Sequence, residues 1–124
     1  MKTILVVDDE DDLRVLVAKT LKSRGFETIE ADNGATAFDL AKKHMPDLIV
    51  SDVMMDSGNG FMLQELLRDD PKTASIPLIL MSGLAQKAGA WGSDPDVEYL
   101  EKPFSDSILL NAVGRKINPQ SPVR

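Results

Sequence analysis

Short apolar runs alternate with longer amphipathic stretches along the whole chain, and this alternation narrows the folds that the chain can adopt. The runs have the length of buried strands, and the stretches between them repeat apolar residues every three or four positions, as a half-buried helix does. Strict alternation of strands and helices is typical of a parallel sheet with crossover helices. The sequence therefore predicts an α/β fold: a three-layer (α/β/α), doubly wound parallel sheet of five strands with five helices.

Capping and helix-breaking residues place the boundaries of these elements. Asn33 and Ser105 are polar residues of the kind that begin helices, whereas Gly25 and Pro46 are of the kind that end them. The fourth predicted helix is short and rich in Ala and Gly, so its helical propensity is weak. Strands are predicted at residues 4–7, 26–31, 48–50, 76–81 and 97–100, and helices at 13–25, 33–44, 62–70, 84–91 and 105–117.

Most of the negative charge of the chain lies in one run. The 14 basic and 20 acidic residues give a net charge of −6, and five of those acids are consecutive at positions 8–12. An isoelectric point near 4.7 argues against a nucleic-acid partner, which needs clustered basic residues, and against binding to a membrane surface. The acidic run needs a local explanation, because the remaining charges nearly balance.

Length and composition indicate one ordinary globular domain, and the lack of cysteine is compatible with a reducing compartment. A chain of 124 residues has the commonest size for one domain, which we expect at residues 1–118 with a polar tail at 119–124. The absence of cysteine excludes disulfides and thiolate metal sites. The sequence has no signal-peptide pattern and no run near the ~20 apolar residues of a membrane span. We therefore expect a cytoplasmic protein.

Several predicted strands are followed, directly or after one residue, by residues that can do chemistry. Asp8 and Asp9 follow the first strand, Asp52 the third, Ser82 the fourth and Lys102 the fifth. In open α/β sheets, ligands bind at the carboxyl ends of the strands, at the point where the strand order reverses. We expect three carboxylates, one hydroxyl and one ammonium to lie together at this edge of the sheet.

This set of side chains favours phosphoryl chemistry with a hard metal ion. Clustered carboxylates repel one another unless a cation lies among them, and oxygen ligands without His or Cys select Mg²⁺ or a similar ion. A Lys and a hydroxyl beside such an ion are groups that hold a phosphoryl group. An aspartate can itself accept that group as an acyl phosphate. The residues thus predict a metal-assisted site of aspartyl phosphorylation.

Four stretches of the chain carry these residues: ILVVDDE from Ile4, PDLIVSDVMM from Pro46, LMSG from Leu80 and YLEKPF from Tyr99. In this order they resemble the receiver domain of bacterial two-component response regulators, in particular single-domain regulators of the chemotaxis type. The resemblance runs from Lys2 to about Ile117 and implies a flavodoxin-like sheet with strand order 2-1-3-4-5.

The resemblance also implies a role for each residue of the site. Asp52 would be the phosphoryl acceptor, and Asp8, Asp9, Asp52 and the backbone carbonyl of Met54 would hold Mg²⁺. Lys102 would pair with Asp52 and then with its phosphate. The remaining implied roles are a bond from Ser82 to a phosphoryl oxygen and an aromatic switch at Tyr99.

The resemblance further implies the partners. The donor would be a sensor histidine kinase or a histidine phosphotransfer protein. A downstream protein would bind the face made by the fourth predicted helix, the fifth strand and the last helix. The domain would signal rather than act as an enzyme, catalysing only its own phosphorylation and slow dephosphorylation. Whether it stands alone, relays phosphate or belongs to a longer protein is left open.

Plainer interpretations compete for several of these residues. Residues 10–12 fit a solvated acidic helix start, and His44, the only histidine, fits the last turn of a helix better than a phosphocarrier site. Tyr99 also fits a half-buried strand residue whose hydroxyl is in water. Trp91 fits a packing anchor as well as an exposed partner contact.

Other classes of protein are also compatible with part of the pattern. An aspartate-nucleophile, Mg²⁺-dependent phosphohydrolase would need a second aspartate two residues after Asp52, where this chain has Met54. A flavodoxin-like nucleotide binder would need glycines and hydroxyls after the first strand, where this chain is acidic. A degenerate receiver that serves only as a scaffold would lack part of the set that this chain retains.

Overall fold

The computed structural model describes residues 2–53, 60–82, 97–102 and 104–117. Within these ranges the chain forms five strands and four helices, and the predicted helix at residues 84–91 lies outside them. The strands make one parallel sheet in the order β2-β1-β3-β4-β5, which confirms the predicted fold. In chain order the elements are β1 (Thr3–Val7), α1 (Asp11–Lys22), β2 (Glu27–Ala31), α2 (Gly34–His44), β3 (Leu48–Asp52), α3 (Gly60–Asp69), β4 (Leu78–Ser82), β5 (Val97–Glu101) and α4 (Asp106–Lys116).

Two helices begin at the predicted caps. The side chain of Asn33 accepts a hydrogen bond from the N–H of Thr36 at 2.8 Å, and that of Ser105 accepts one from the N–H of Ile108 at 3.2 Å. Each bond satisfies a backbone donor that has no partner inside the helix. Helix α2 ends at His44, and the next residue, Met45, adopts a left-handed conformation with φ of 49°, directly before Pro46.

Two strand boundaries differ from the prediction by two residues, and four others differ by one. Strand β4 begins at Leu78 and not at Ile76, because the N–H of Ile76 bonds to Thr73 in a turn and Pro77 has no N–H to donate. Strand β3 continues through Asp52, beyond the predicted end at residue 50. Asp52 is therefore the last residue of a buried strand rather than the first residue of a loop.

Helices cover both faces of the sheet and divide the core in two. On one face, strand residues pack against α1 and α4; on the other, they pack against α2 and α3. Strands β1, β3 and β4 are almost completely buried, as the inner strands of a parallel sheet are. Strand β2 lies at an edge and is partly exposed, as predicted. In the described part of the chain, no helix has the length and apolarity needed to cross a membrane.

Candidate functional site

The candidate site lies where strands β1, β3, β4 and β5 end. The chain leaves β1 toward β2 on one side and returns to pair β3 on the other, so the strand order reverses beside Asp8. Asp8 directly follows β1, Asp52 ends β3, Ser82 ends β4 and Lys102 directly follows β5. Parallel pairing brings these ends to one edge of the sheet.

Three carboxylates form the centre of the site. One carboxylate oxygen from each of Asp8, Asp9 and Asp52 lies within 4.8 Å of the others. Asp8 is completely buried and Asp52 is 6% exposed, whereas Asp9 is exposed to solvent. Two of the three negative charges therefore lie in the protein interior, where charges are costly unless they are paired or bind a cation.

Lys102 places an ammonium between the two buried carboxylates. Its Nζ lies 3.2 Å from Oδ1 of Asp52 and 3.5 Å from Oδ2 of Asp8, and its side chain is 19% exposed. The backbone N–H of Lys102 donates to the carbonyl oxygen of Ser82 at 2.8 Å. This main-chain bond continues the β4 and β5 pairing by one residue and sets the direction in which the lysine leaves the sheet.

The donor set fits a small, hard divalent cation. The cluster contains three carboxylates and the ammonium pairs with two of them, so the cluster keeps a negative charge, and every candidate ligand atom is an oxygen. Mg²⁺ binds such sites through one or two carboxylates and keeps several waters. Asp8, Asp9 and Asp52 would hold the ion. The carbonyl of Met54, the fourth predicted ligand, lies outside the described residues.

The two predicted residues on strands β4 and β5 have different surroundings. Ser82 is 1% exposed and lies at the site edge. Tyr99 lies in the middle of β5, opposite Leu80, and is half-buried against the core on the α2 and α3 face. This position fits a packed strand residue, and the switch role of Tyr99 stays a prediction.

The remaining acids of the run belong to the start of α1. Asp11 and Asp12 lie in the first turn of the helix and are exposed, where the helix dipole favours negative charge. Glu10 contributes its backbone N–H, which donates to Oδ1 of Asp8 at 2.9 Å. His44 is exposed in the last turn of α2, as the structural interpretation predicted.

Sequence reasoning missed Arg14. Its Nη1 donates to the backbone carbonyl of Asp8 at 2.9 Å, and its Nε donates to Oε1 of Glu30 at 3.0 Å. Burial lowers the pKa of Arg14, but hydrogen bonds to Glu30 and Asp11 outweigh burial and hold this pKa above its ordinary value. No motif marks the residue, because its partners lie on different elements and meet only in the folded sheet.

Comparison with known proteins agrees with this geometry. A family model for the response regulator receiver domain matches residues 4–114. Protein PilH of Pseudomonas aeruginosa is 30% identical over 115 residues, which cover 91% of this chain and 95% of PilH. The phosphate regulon transcriptional regulatory protein PhoB of the same organism is 35% identical over 126 residues, which cover 95% of this chain and 54% of PhoB.

Solved structures show the same fold. Chemotaxis protein CheY4 of Vibrio cholerae has a TM-score of 0.85 and 29% sequence identity, and the match covers 94% of this chain and 99% of CheY4. The chain thus spans nearly all of some relatives and about half of others, including PhoB. The family model covers most of the chain, and the carboxylates and the lysine lie at the strand ends. The chain therefore belongs to the response regulator receiver domain family of two-component signalling.

Proposed function

We propose that Asp52 is the residue of this receiver domain that accepts the phosphoryl group. The observation that carries the proposal is the position of Asp52 at the end of a buried strand, within 4.8 Å of two other carboxylates and 3.2 Å from the ammonium of Lys102. A carboxylate in contact with an ammonium can approach a phosphoryl donor without facing its negative charge alone.

The reaction is a transfer from a phosphohistidine of a partner protein. A carboxylate oxygen of Asp52 forms a bond to phosphorus while the bond between phosphorus and the imidazole nitrogen breaks. The electron pair of that bond stays on the nitrogen, which takes up a proton from solvent. The product is an acyl phosphate on Asp52, and no oxidant or reductant takes part.

The other residues of the site prepare Asp52 for this step. Asp8 and Asp9 would hold Mg²⁺ with Asp52, and the bound ion supplies positive charge for the phosphoryl oxygens. The ammonium of Lys102 is within reach of the acceptor and would remain beside the new phosphate. Ser82, buried at the end of β4, would donate a hydrogen bond from its hydroxyl to a phosphoryl oxygen.

The signal would leave the domain through a change of its binding face. Ser82 and Lys102 are joined by a main-chain hydrogen bond, and Tyr99 lies three residues before Lys102 on β5. A shift of Ser82 toward the phosphate would let Tyr99 turn inward and alter the surface formed by β5 and its neighbouring helices. We infer a downstream protein that binds this surface.

We also infer the setting of the domain from its family. The donor is a sensor histidine kinase or a histidine phosphotransfer protein, and the domain is cytoplasmic. Residues 1–118 form the receiver unit, followed by a polar tail at 119–124. The domain turns over only its own acyl phosphate and is not an enzyme for other substrates.

Incubation with Mg²⁺ and acetyl phosphate, followed by intact-protein mass spectrometry, tests the acceptor. We expect the mass of one phosphoryl group on the unaltered protein and none on Asp52→Asn. Asp39→Asn, which removes an exposed carboxylate on α2, is the matched control and should be phosphorylated normally. Full labelling of Asp52→Asn would refute the assignment, and rapid turnover of many equivalents of acetyl phosphate would favour a phosphohydrolase.

A further inference from the structure

Arg14 connects the first residue of the candidate site to the edge strand. It lies in the first turns of α1, and its guanidinium bonds through three different nitrogens. Nη1 donates to the Asp8 carbonyl at 2.9 Å, Nε donates to Glu30 on β2 at 3.0 Å, and Nη2 lies 2.8 Å from Oδ1 of Asp11. The Arg14 side chain is 15% exposed, whereas Asp11 is 79% exposed and Glu30 33%, so the two carboxylate bonds lie at the surface and the bond to the Asp8 carbonyl is partly buried.

Asp8 is held at its backbone and at both carboxylate oxygens. Its N–H donates to the carbonyl of Ala31 at 3.1 Å, and its Oδ1 accepts from the N–H of Glu10 at 2.9 Å. Its Oδ2 faces Lys102 at 3.5 Å. Because Asp8 is completely buried, its carbonyl oxygen also requires a donor, and the structure shows Arg14 supplying one.

We propose that Arg14 is a positioning residue of the phosphoryl-acceptor site, acting on Mg²⁺ affinity by fixing the main chain at Asp8. The inference rests on the proposed function, because it gives Asp8 a role in holding the ion. Residues that orient the ligands of a metal ion change its affinity without touching it. Arg14 is placed to do this through one backbone carbonyl.

The carboxylates of Glu30 and Asp11 keep the Arg14 guanidinium from repelling a cation at the site. A free guanidinium near Asp8 would oppose the binding of a cation. The two carboxylates bound to Arg14 neutralise its charge and hold the planar group in one orientation. With two carboxylates and one guanidinium, the network therefore adds a fixed hydrogen bond to Asp8 without a net positive charge.

A positioning role and a purely electrostatic role of Arg14 predict different changes in Mg²⁺ affinity when Arg14 is substituted. If the guanidinium acted only through its charge, Arg14→Ala would bind Mg²⁺ more tightly and Arg14→Lys would bind it normally. If it acts through position, both variants bind Mg²⁺ more weakly, because a lysine ammonium cannot reproduce the planar fork that contacts Asp8 and Glu30 together. The sign of the change separates the two roles.

The test is the dissociation constant of Mg²⁺, measured by isothermal titration calorimetry. We expect Arg14→Ala and Arg14→Lys to weaken binding by about tenfold, the lower end of the range for residues that orient metal ligands. Arg115→Ala is the matched control. It removes another arginine that pairs with a strand glutamate, Glu98 near the start of β5, and we expect a change of less than about twofold.

A second measurement uses the rate of labelling by acetyl phosphate at increasing Mg²⁺. Both Arg14 variants should need more Mg²⁺ for half of the maximal rate, with a maximal rate within about twofold of the unaltered protein. Thermal unfolding in EDTA reports whether each variant folds. If Arg14→Ala is unfolded, Arg14→Lys decides the question.

Unchanged Mg²⁺ affinity in a folded Arg14→Lys variant overturns the inference, and so does tighter binding in Arg14→Ala. Neither result affects the assignment of Asp52. By contrast, an unaltered protein that binds no Mg²⁺ and takes up no phosphoryl group overturns the proposed function itself. Failure of the two proposals is therefore distinguishable in the same set of titrations.

Discussion

The ammonium of Lys102 lies 3.2 Å from Oδ1 of Asp52, although the two residues are far apart in sequence. Asp52 ends β3 and Lys102 directly follows β5, and these two strands do not pair with each other. Strand β4 lies between β3 and β5, so the long lysine side chain crosses over the end of β4 to reach the aspartate. Its Nζ also lies 3.5 Å from Oδ2 of Asp8. The ammonium of Lys102 thus pairs with both buried carboxylates.

We predict that Lys102→Met destabilises the protein in the absence of metal. The change leaves the buried carboxylates of Asp8 and Asp52 without the ammonium that both contact. Loss of one partner of a buried charge costs about 2–3 kcal/mol, which chemical denaturation in EDTA should detect as a lower free energy of unfolding. Mg²⁺ should raise the Tm of this variant more than that of the unaltered protein, because the ion replaces the lost charge.

Lys72→Met controls for the loss of a lysine. Lys72 is exposed in the turn after α3, and its removal should change the free energy of unfolding by less than about 0.5 kcal/mol. An equal rise of Tm with Mg²⁺ in Lys102→Met and the unaltered protein would contradict the shared-cation interpretation.

We predict that Ser82→Ala separates phosphoryl transfer from metal binding. The hydroxyl is buried at the site edge, but the cluster of candidate metal ligands consists of Asp8, Asp9 and Asp52. Mg²⁺ affinity should therefore stay within about twofold, while labelling by acetyl phosphate at saturating Mg²⁺ should slow by about 10- to 100-fold through loss of a donor to the transition state. Calorimetry and timed mass spectrometry give the two values. Equal loss in both would mean that Ser82 supports the metal ligands.

Much of this site could be predicted because its residues follow strands. A buried strand is a readable pattern, and the residue after it must lie at the carboxyl edge of a parallel sheet. This placed Asp8, Asp52 and Lys102 together before any contact was known. The same rule does not reach Arg14, because its role depends on Glu30 of a neighbouring strand and on the angle at which α1 leaves the site.

Boundaries were predicted less well than elements, for local reasons. The apolar run that begins at Ile76 suggested a strand start, but Pro77 lacks an N–H and Ile76 completes a turn with Thr73. Asp52 was placed after the end of the third strand, whereas it is the last residue of β3 at 6% exposure. Met54 and residues 84–91 lie outside the described residues, so those predictions stand as made.

We predict opposite effects for the same substitution at two glycines. Gly25 has a φ of 92° in the turn after α1, a conformation that side chains with a Cβ rarely adopt, so Gly25→Ala should lower the free energy of unfolding by about 1 kcal/mol. Gly114 lies inside α4, and a Cβ added there would meet no other atom within 4 Å. Gly114→Ala should therefore raise the free energy of unfolding by about 0.5–1 kcal/mol. Urea denaturation measures both. A stabilising Gly25→Ala would show that this turn can change its backbone conformation.

We predict that two acids of the same run respond differently to loss of their charge. Asp9 is exposed but places an oxygen within 4.8 Å of those of Asp8 and Asp52, whereas Asp12 is exposed in the first turn of α1 and is not part of that cluster. Asp9→Asn should weaken Mg²⁺ binding by about tenfold or more, since it removes a charged ligand, yet raise the free energy of unfolding in EDTA, because it relieves repulsion among the three carboxylates. Asp12→Asn should change Mg²⁺ affinity by less than about twofold, because a solvent-screened charge outside the cluster contributes little. Equal weakening in the two variants, measured by calorimetry at the same ionic strength, would mean that the run attracts the ion by its total charge rather than by ligation.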